Sequence, residues 1–353
     1  MSRVSSLSRR VFTWKFYFYE VLLPGLRHLG PARADRAVAA MGRLGARIRP
    51  GRRAALREAA RRVNAGLKRH GAPPADWRTL AESAARFTAR DYALNAPDDA
   101  EVAARFDVTG LDAVEAAMAR GRGVILLGSH FGAHIAGMHW LFRFGPPARA
   151  LVQRPKHVSA ALSKLFDRAE GAYAQSEFFL KRDLSPSAAV ERMLQARSAL
   201  RDGLALYLNG DVVWDGANTR VCRLLGLEHP FLAIWTDLAS LTRAPVFFIF
   251  CKHLPGGRFA LDFEPLDESA RGDAERALGA YMKAVEARVA ADPAEAVAYL
   301  TWPCYTTSDS HAPPSRPQDH PTRALKPSPP HAGEGGPKGD AGVVGVQCGH
   351  RSR

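Results

Sequence analysis

The chain has 353 residues, 46% of them hydrophobic, a formal net charge of +14 and four cysteines. The length holds one large domain or two small ones, and the hydrophobic content is that of an ordinary globular protein. Cys222, Cys251, Cys304 and Cys348 are far apart and form no C-x-x-C pair, which argues against a zinc site or a disulfide framework and fits a reducing compartment. The charge is localised. Residues 1–70 hold 15 Arg and 2 Lys against Glu20, Asp35 and Glu58, so the whole excess lies there and the remainder is neutral on balance. Such a block attracts anionic lipid headgroups or nucleic acid; the plainer alternative is Arg on solvated helix faces.

Residues 11–29 are dense in aromatics in their first half and interrupted by Lys15, Glu20, Pro24 and Arg27. A spanning helix needs about 20 mostly apolar residues, so no transmembrane segment is expected. No small-residue cleavage site follows a clean apolar core, so no signal peptide is expected either. Aromatics beside Arg9, Arg10 and Lys15 suit a helix lying in a membrane interface, or one packed on the protein's own core. Residues 33–71 alternate Arg with Ala, Leu and Val at helical spacing and predict two helices broken at Pro50-Gly51. A third is expected over 76–94, with Trp77, Leu80, Ala84 and Phe87 on its buried face.

From Phe106 the pattern becomes α/β. Short strands are predicted at 124–127, 149–152, 204–208, 246–250 and 258–263. Helices are predicted near 111–120, 133–142, 159–171, 186–201, 231–242, 271–291 and 294–300. The alternation implies a mostly parallel sheet flanked by helices. Beyond Tyr305 the composition is Pro, Gly, Ser and His. Such a segment cannot offset its ordering entropy, so 306–353 is expected to be disordered. The expected division is a basic helical segment over 1–71, an α/β domain over 72–305, and the tail.

Gly121-Arg122-Gly123-Val124-Ile125-Leu126-Leu127-Gly128-Ser129-His130-Phe131-Gly132 stands out. A buried strand ends in Gly-Ser-His-Phe-Gly and a helix follows, which places the His130 ring at a cleft mouth. This stretch resembles the active-site block of the lipid A late acyltransferases, within the wider glycerol-3-phosphate acyltransferase-like group. Val108-Thr109-Gly110-Leu111, Gln153-Arg154-Pro155-Lys156, Arg201-Asp202-Gly203 with Asp211, 239–250, and 292–302 resemble further blocks in the family's order, covering about 50–305. Two departures stand out. The family's His is followed after four residues by Asp or Glu, and Ile135 occupies that place. Leu224-Leu225-Gly226 replaces an aromatic Phe-Phe-Gly.

A His can take the proton of an attacking hydroxyl, but a carboxylate must hold its other nitrogen, and Ile135 cannot. Asp211 follows a strand and shares a sheet rim with His130. His134, one turn beyond His130, is a second neighbour. A zinc site from His130 and His134 lacks the Glu of H-E-x-x-H and any third ligand.

The resemblance implies an α/β, glycerol-3-phosphate acyltransferase-like fold. It also implies acyl transfer from an acyl carrier protein or coenzyme A thioester to a hydroxyl of a membrane lipid such as a lipid A precursor, at the cytoplasmic face of a bacterial inner membrane. No cofactor is required. His130 would be the base and Asp211 its orienter. Arg154 would hold anionic groups of the acceptor, and Gly128, Ser129, Phe131, Gly132 and His134 would shape the pocket. The basic block would meet anionic lipid, the aromatics at 12–19 favouring membrane over nucleic acid. The rival reading is a lipid-binding relative that lost its His/acid dyad.

Overall fold

The computed structural model describes residues 16–67, 74–89, 98–152, 177–179 and 186–306, apart from 215, 217 and 271. A π-helical segment, Tyr17–Leu22, runs into α1 (Leu23–Arg27), then α2 (Pro31–Ile48), α3 (Pro50–Leu67), α4 (Trp77–Ala89) and α5 (Asp99–Ala103). The α/β part follows as β1 (Phe106–Thr109), α6 (Leu111–Met118), β2 (Val124–Gly128), α7 (His134–Phe144), β3 (Ala148–Val152), β4 (Glu177–Phe179), α8 (Pro186–Arg201) and β5 (Ala205–Asn209). It continues through β6 (Thr219–Leu224), β7 (Leu227–Leu232), α9 (Ile234–Thr242), β8 (Val246–Leu254), β9 (Arg258–Pro265) and α10 (Ala274–Ala291), and closes with a 3-10 turn (Pro293–Glu295), α11 (Val297–Thr301) and α12 (Pro303–Thr306).

Seven strands form one sheet in the order β1-β9-β8-β2-β5-β3-β4. Every pairing is parallel except β8 with β9, which are joined by a tight turn. Strands at the middle of a helix-covered sheet are buried on both faces, and all five residues of β2 are buried. Successive side chains then enter opposite cores. Ile125, Leu127, Leu206, Leu208 and Phe248 join one, with α3, α8, α9 and α10. Val124, Leu126, Tyr207, Phe247 and Ile249 join the other, with α1, α2, α6 and α7.

The boundary expected at 71/72 does not separate two cores. Ala34 and Val38 of α2 pack in one core, and Leu56 and Val63 of α3 in the other. Buried Asp35 accepts from Arg86 Nε at 2.8 Å and from the Gly256 amide in the β8–β9 turn at 3.2 Å, fastening α2 to the domain. Gly42 permits the crossing of α2 over α4, since a Cβ there would lie 2.4 Å from the Ala81 carbonyl oxygen.

The helix expected from Phe231 starts at Ile234, because 219–232 forms the antiparallel hairpin β6–β7. Its two-residue turn puts both Leu225 and Gly226 at positive φ, and a leucine there gives no turn signal. Cys222 and Cys251 are free thiols. The helix expected at 159–171, Arg154 and nearly all of the tail lie outside the described residues.

Candidate active site

The site grows out of sheet register. β2 and β5 run parallel and adjacent, with Gly128 opposite Asn209. Two residues beyond each of these, on the rim where the strands end, stand His130 and Asp211. The pair is 81 residues apart in the chain, yet His130 Nδ1 lies 2.9 Å from Asp211 Oδ1, and the His130 backbone amide donates to Oδ2 at 2.6 Å. Asp211 is fully buried. A buried carboxylate must be saturated with donors, and Tyr299 Oη supplies a third at 2.5 Å. Burial, then the charge of Asp211, pushes the Tyr299 phenol well above its ordinary pKa, so it stays protonated and donating.

The neighbours define the tautomer of His130. Tyr305 Oη donates to the Asp211 carbonyl oxygen at 2.8 Å, which leaves its lone pairs to face His130 Nδ1 at 2.9 Å. Nδ1 therefore meets two acceptors, Asp211 Oδ1 and Tyr305 Oη, and carries the proton. On the opposite edge of the ring, Asn209 Nδ2 lies 3.4 Å from Nε2. The Tyr207 hydroxyl donates to Asn209 Oδ1 at 3.1 Å and so turns the amide nitrogen toward the histidine. Nε2 is thus the basic nitrogen. Trp302 and His134 pack edge-on against the ring at centroid distances of 5.1 and 5.0 Å.

His130 opens into a cavity of about 270 Å³, mouth included, lined also by Ser83, Phe87, Gly132, His253, Glu295, Val297, Ala298 and Trp302. Gly132 is required twice. Its φ is +56°, and a Cβ would meet the Cys251 carbonyl oxygen at 2.4 Å, a conformation and a clearance open only to glycine.

His130 and Gly132 therefore reach the cavity. Ser129 and Phe131 point away and are buried, Phe131 within a core. His134 is buried behind His130, against Phe87. Ile135, in the place of the family's acid, is half-buried on α7. Gly128 lies beneath the site, its carbonyl accepting from Tyr281 Oη at 2.7 Å. Asn209, Tyr299, Trp302, Tyr305, His253, Glu295 and Ser83 are site residues that sequence reasoning missed. The aromatic run at the end of the closing helix and the Asn209-Gly210-Asp211 turn were the available signals for the first four. Among the described residues, no group of three or more His, Cys, Asp or Glu side chains converges as a metal site.

A mostly parallel sheet under helices on both faces is consistent with an acyltransferase fold. The chain matches the bacterial lipid A biosynthesis acyltransferase family over residues 2–297 and belongs to it. No curated protein matches the chain.

Proposed function

We propose that the protein transfers an acyl chain from an acyl carrier protein or coenzyme A thioester to a hydroxyl of a membrane glycolipid such as a lipid A precursor, with His130 as base and Asp211 as its orienting acid. The observation that carries this is the 2.9 Å Nδ1–Asp211 contact, which supplies from β5 the carboxylate that Ile135 cannot provide from α7. Nε2 takes the acceptor's hydroxyl proton as its oxygen attacks the thioester carbon. Asp211 stabilises the imidazolium. When the tetrahedral intermediate collapses, the C–S bond breaks and the thiolate leaves with that proton, giving ester and thiol and returning His130 to its neutral form. Arg154 is assigned to anionic groups of the acceptor by resemblance alone.

Acting on a membrane lipid requires a membrane-facing surface, and residues 17–48 have the character of one. Tyr17, Val21, Leu22, Leu29, Met41, Leu44 and Ile48 are exposed, Ile48 by 67%. Arg33, Arg36, Arg43 and Arg47 lie exposed beside the last three on α2. Apolar side chains flanked by cations suit the interface of an anionic bilayer. No described helix is long and apolar enough to cross a membrane. This reading places the protein peripherally on the cytoplasmic face of the inner membrane.

The test is thiol release from a panel of acyl thioesters in the presence of lipid A precursor vesicles. Release by the full chain, reduced about 10⁴-fold or more in His130→Ala, is the expected result. A folded protein that binds vesicles and releases no thiol from any donor would instead be a lipid-binding relative. Co-sedimentation with anionic vesicles should fall with added salt and in Leu44→Asp/Ile48→Asp; indifference to both would dismiss the proposed membrane face.

A further inference from the structure

A second histidine–carboxylate pair opens into the same cavity. His253 lies on β8, where that strand runs past the rim, and Glu295 ends the 3-10 turn before α11. His253 Nδ1 is 2.8 Å from Glu295 Oε2, and the His253 amide donates to the same oxygen at 3.1 Å. Ser83 Oγ donates to Oε1 at 3.0 Å. The His253 side chain is only 8% exposed, and its Nε2 is a buried atom with no hydrogen-bond partner. Both His253 and His130 line the cavity. An unpartnered buried nitrogen costs free energy, and nothing in the described structure offsets it.

The reaction proposed above leaves a vacancy of the matching kind. When the hydroxyl attacks, the thioester carbonyl oxygen becomes an oxyanion, which needs a preorganised donor. The usual source is the row of backbone amides after a strand, and in this loop those are spent. The amide of His130 goes to Asp211 and that of Phe131 to Ser129 Oγ. The amides of Gly132 and Ala133 go to the carbonyl oxygens of Glu295 and Cys251, at 2.9 and 2.7 Å. A side chain must serve instead.

We propose that His253, bonded through Nδ1 to Glu295, is a second catalytic histidine whose Nε2–H binds the oxyanion of the tetrahedral intermediate. The proposal rests on the acyl-transfer reading. No bond to His253 forms or breaks; the proton that leaves with the thiolate is the one carried by His130. Burial pushes Glu295 up, but the charge and hydrogen bonds of His253 together with Ser83 outweigh it and leave its carboxyl below the usual range. The ring bonded to that carboxylate is His253. The other charged or titratable groups around the pair are Arg86 on α4, whose charge also reaches Glu295, Cys251, and the Lys252–Asp292 ion pair at 3.3 Å. Lys252 and Asp292 neutralise each other, and Arg86 is hydrogen-bonded to Asp35.

The two histidines then have opposed tasks: His130 accepts a proton at Nε2, and His253 donates a hydrogen bond from its own. His253→Ala should lower kcat by about 10²–10³-fold, the loss on removing one oxyanion donor. His253→Gln, whose amide also donates, should recover at least about tenfold of that loss. Should His253→Ala not fold, His253→Gln and nitrogen NMR of the full chain carry the test. In that spectrum Nε2 of His253 should carry a proton in the wild type. An Nε2 without a proton in folded wild type overturns the proposal. So does a working enzyme whose kcat survives both substitutions. A wild type that releases no thiol overturns it through the acyl-transfer reading, a failure that the NMR result separates from the first.

Discussion

The two histidine–carboxylate pairs share a local pattern and differ in how they are held. In each, a carboxylate accepts from the histidine's Nδ1 and from its backbone amide. His130 and Asp211 follow two adjacent parallel strands, so backbone register alone sets their spacing. His253 and Glu295 meet across a strand and a closing 3-10 turn 42 residues later, so their spacing depends on helix docking. The outer nitrogens differ too. Nε2 of His130 faces an oriented amide donor, Asn209, and is kept as an acceptor, whereas Nε2 of His253 is buried with no hydrogen-bond partner. On the proposed reading, similar parts serve as a base on one wall and a donor on the other, and the surroundings decide which is which.

That contrast can be broken most severely at Asp211. Asp211→Asn would present an N–H to Nδ1 and drive the ring proton to Nε2, the wrong tautomer for a base. Thiol release should fall about 10⁴-fold while the fold is kept; a loss smaller than tenfold would show that Asp211 does not orient the base. Tyr305→Phe is milder, because Asp211 remains as the acceptor at Nδ1. Its two contacts, with Nδ1 and with the Asp211 carbonyl oxygen, are lost; the one on the base is worth about 1 kcal/mol, and the rate should drop roughly five- to tenfold with little change in KM. A rate equal to wild type would mean that the phenol only fills space.

The smallest effect is on stability. Glu295 has a folded-state pKa below its ordinary value, so its contribution is fully present above about pH 4.3, the unfolded-chain value, and is lost as pH falls through the folded one. Glu295→Gln should lower unfolding stability by about 1–3 kcal/mol at pH 7, with the gap closing only as pH falls below about 4.3. A gap that stays constant across this range in denaturant titrations would show that Glu295 folds uncharged.

How much of this was legible in the sequence follows from what fixed each position. His130 and Asp211 could be placed together because both follow short apolar strands, and a parallel sheet puts strand ends on one rim. The mostly parallel sheet itself was legible from the strand–helix alternation. Tyr299, Tyr305, His253 and Glu295 were not, because their places are set by how the last turns dock, and no periodicity encodes that. The β6–β7 hairpin was missed because its turn uses leucine where glycine or asparagine gives the usual signal. The helices of 33–67 were legible from Arg alternating with apolar residues. Their share in the cores was not, since small residues such as Ala34, Ala46 and Ala59 resemble surface helix formers as much as packing ones.

Tyr299, Trp302 and Tyr305 lie beyond the end of the family match at residue 297, and all three close around the His130–Asp211 pair. A chain is made from its N-terminus, and its domains fold as synthesis proceeds. The sheet and the histidine can be in place while these aromatics are still inside the ribosome. Until they emerge, Asp211 lacks two of its hydroxyl partners and the His130 ring lacks its walls. The order of synthesis therefore leaves the proposed site incomplete until the last of its residues has emerged.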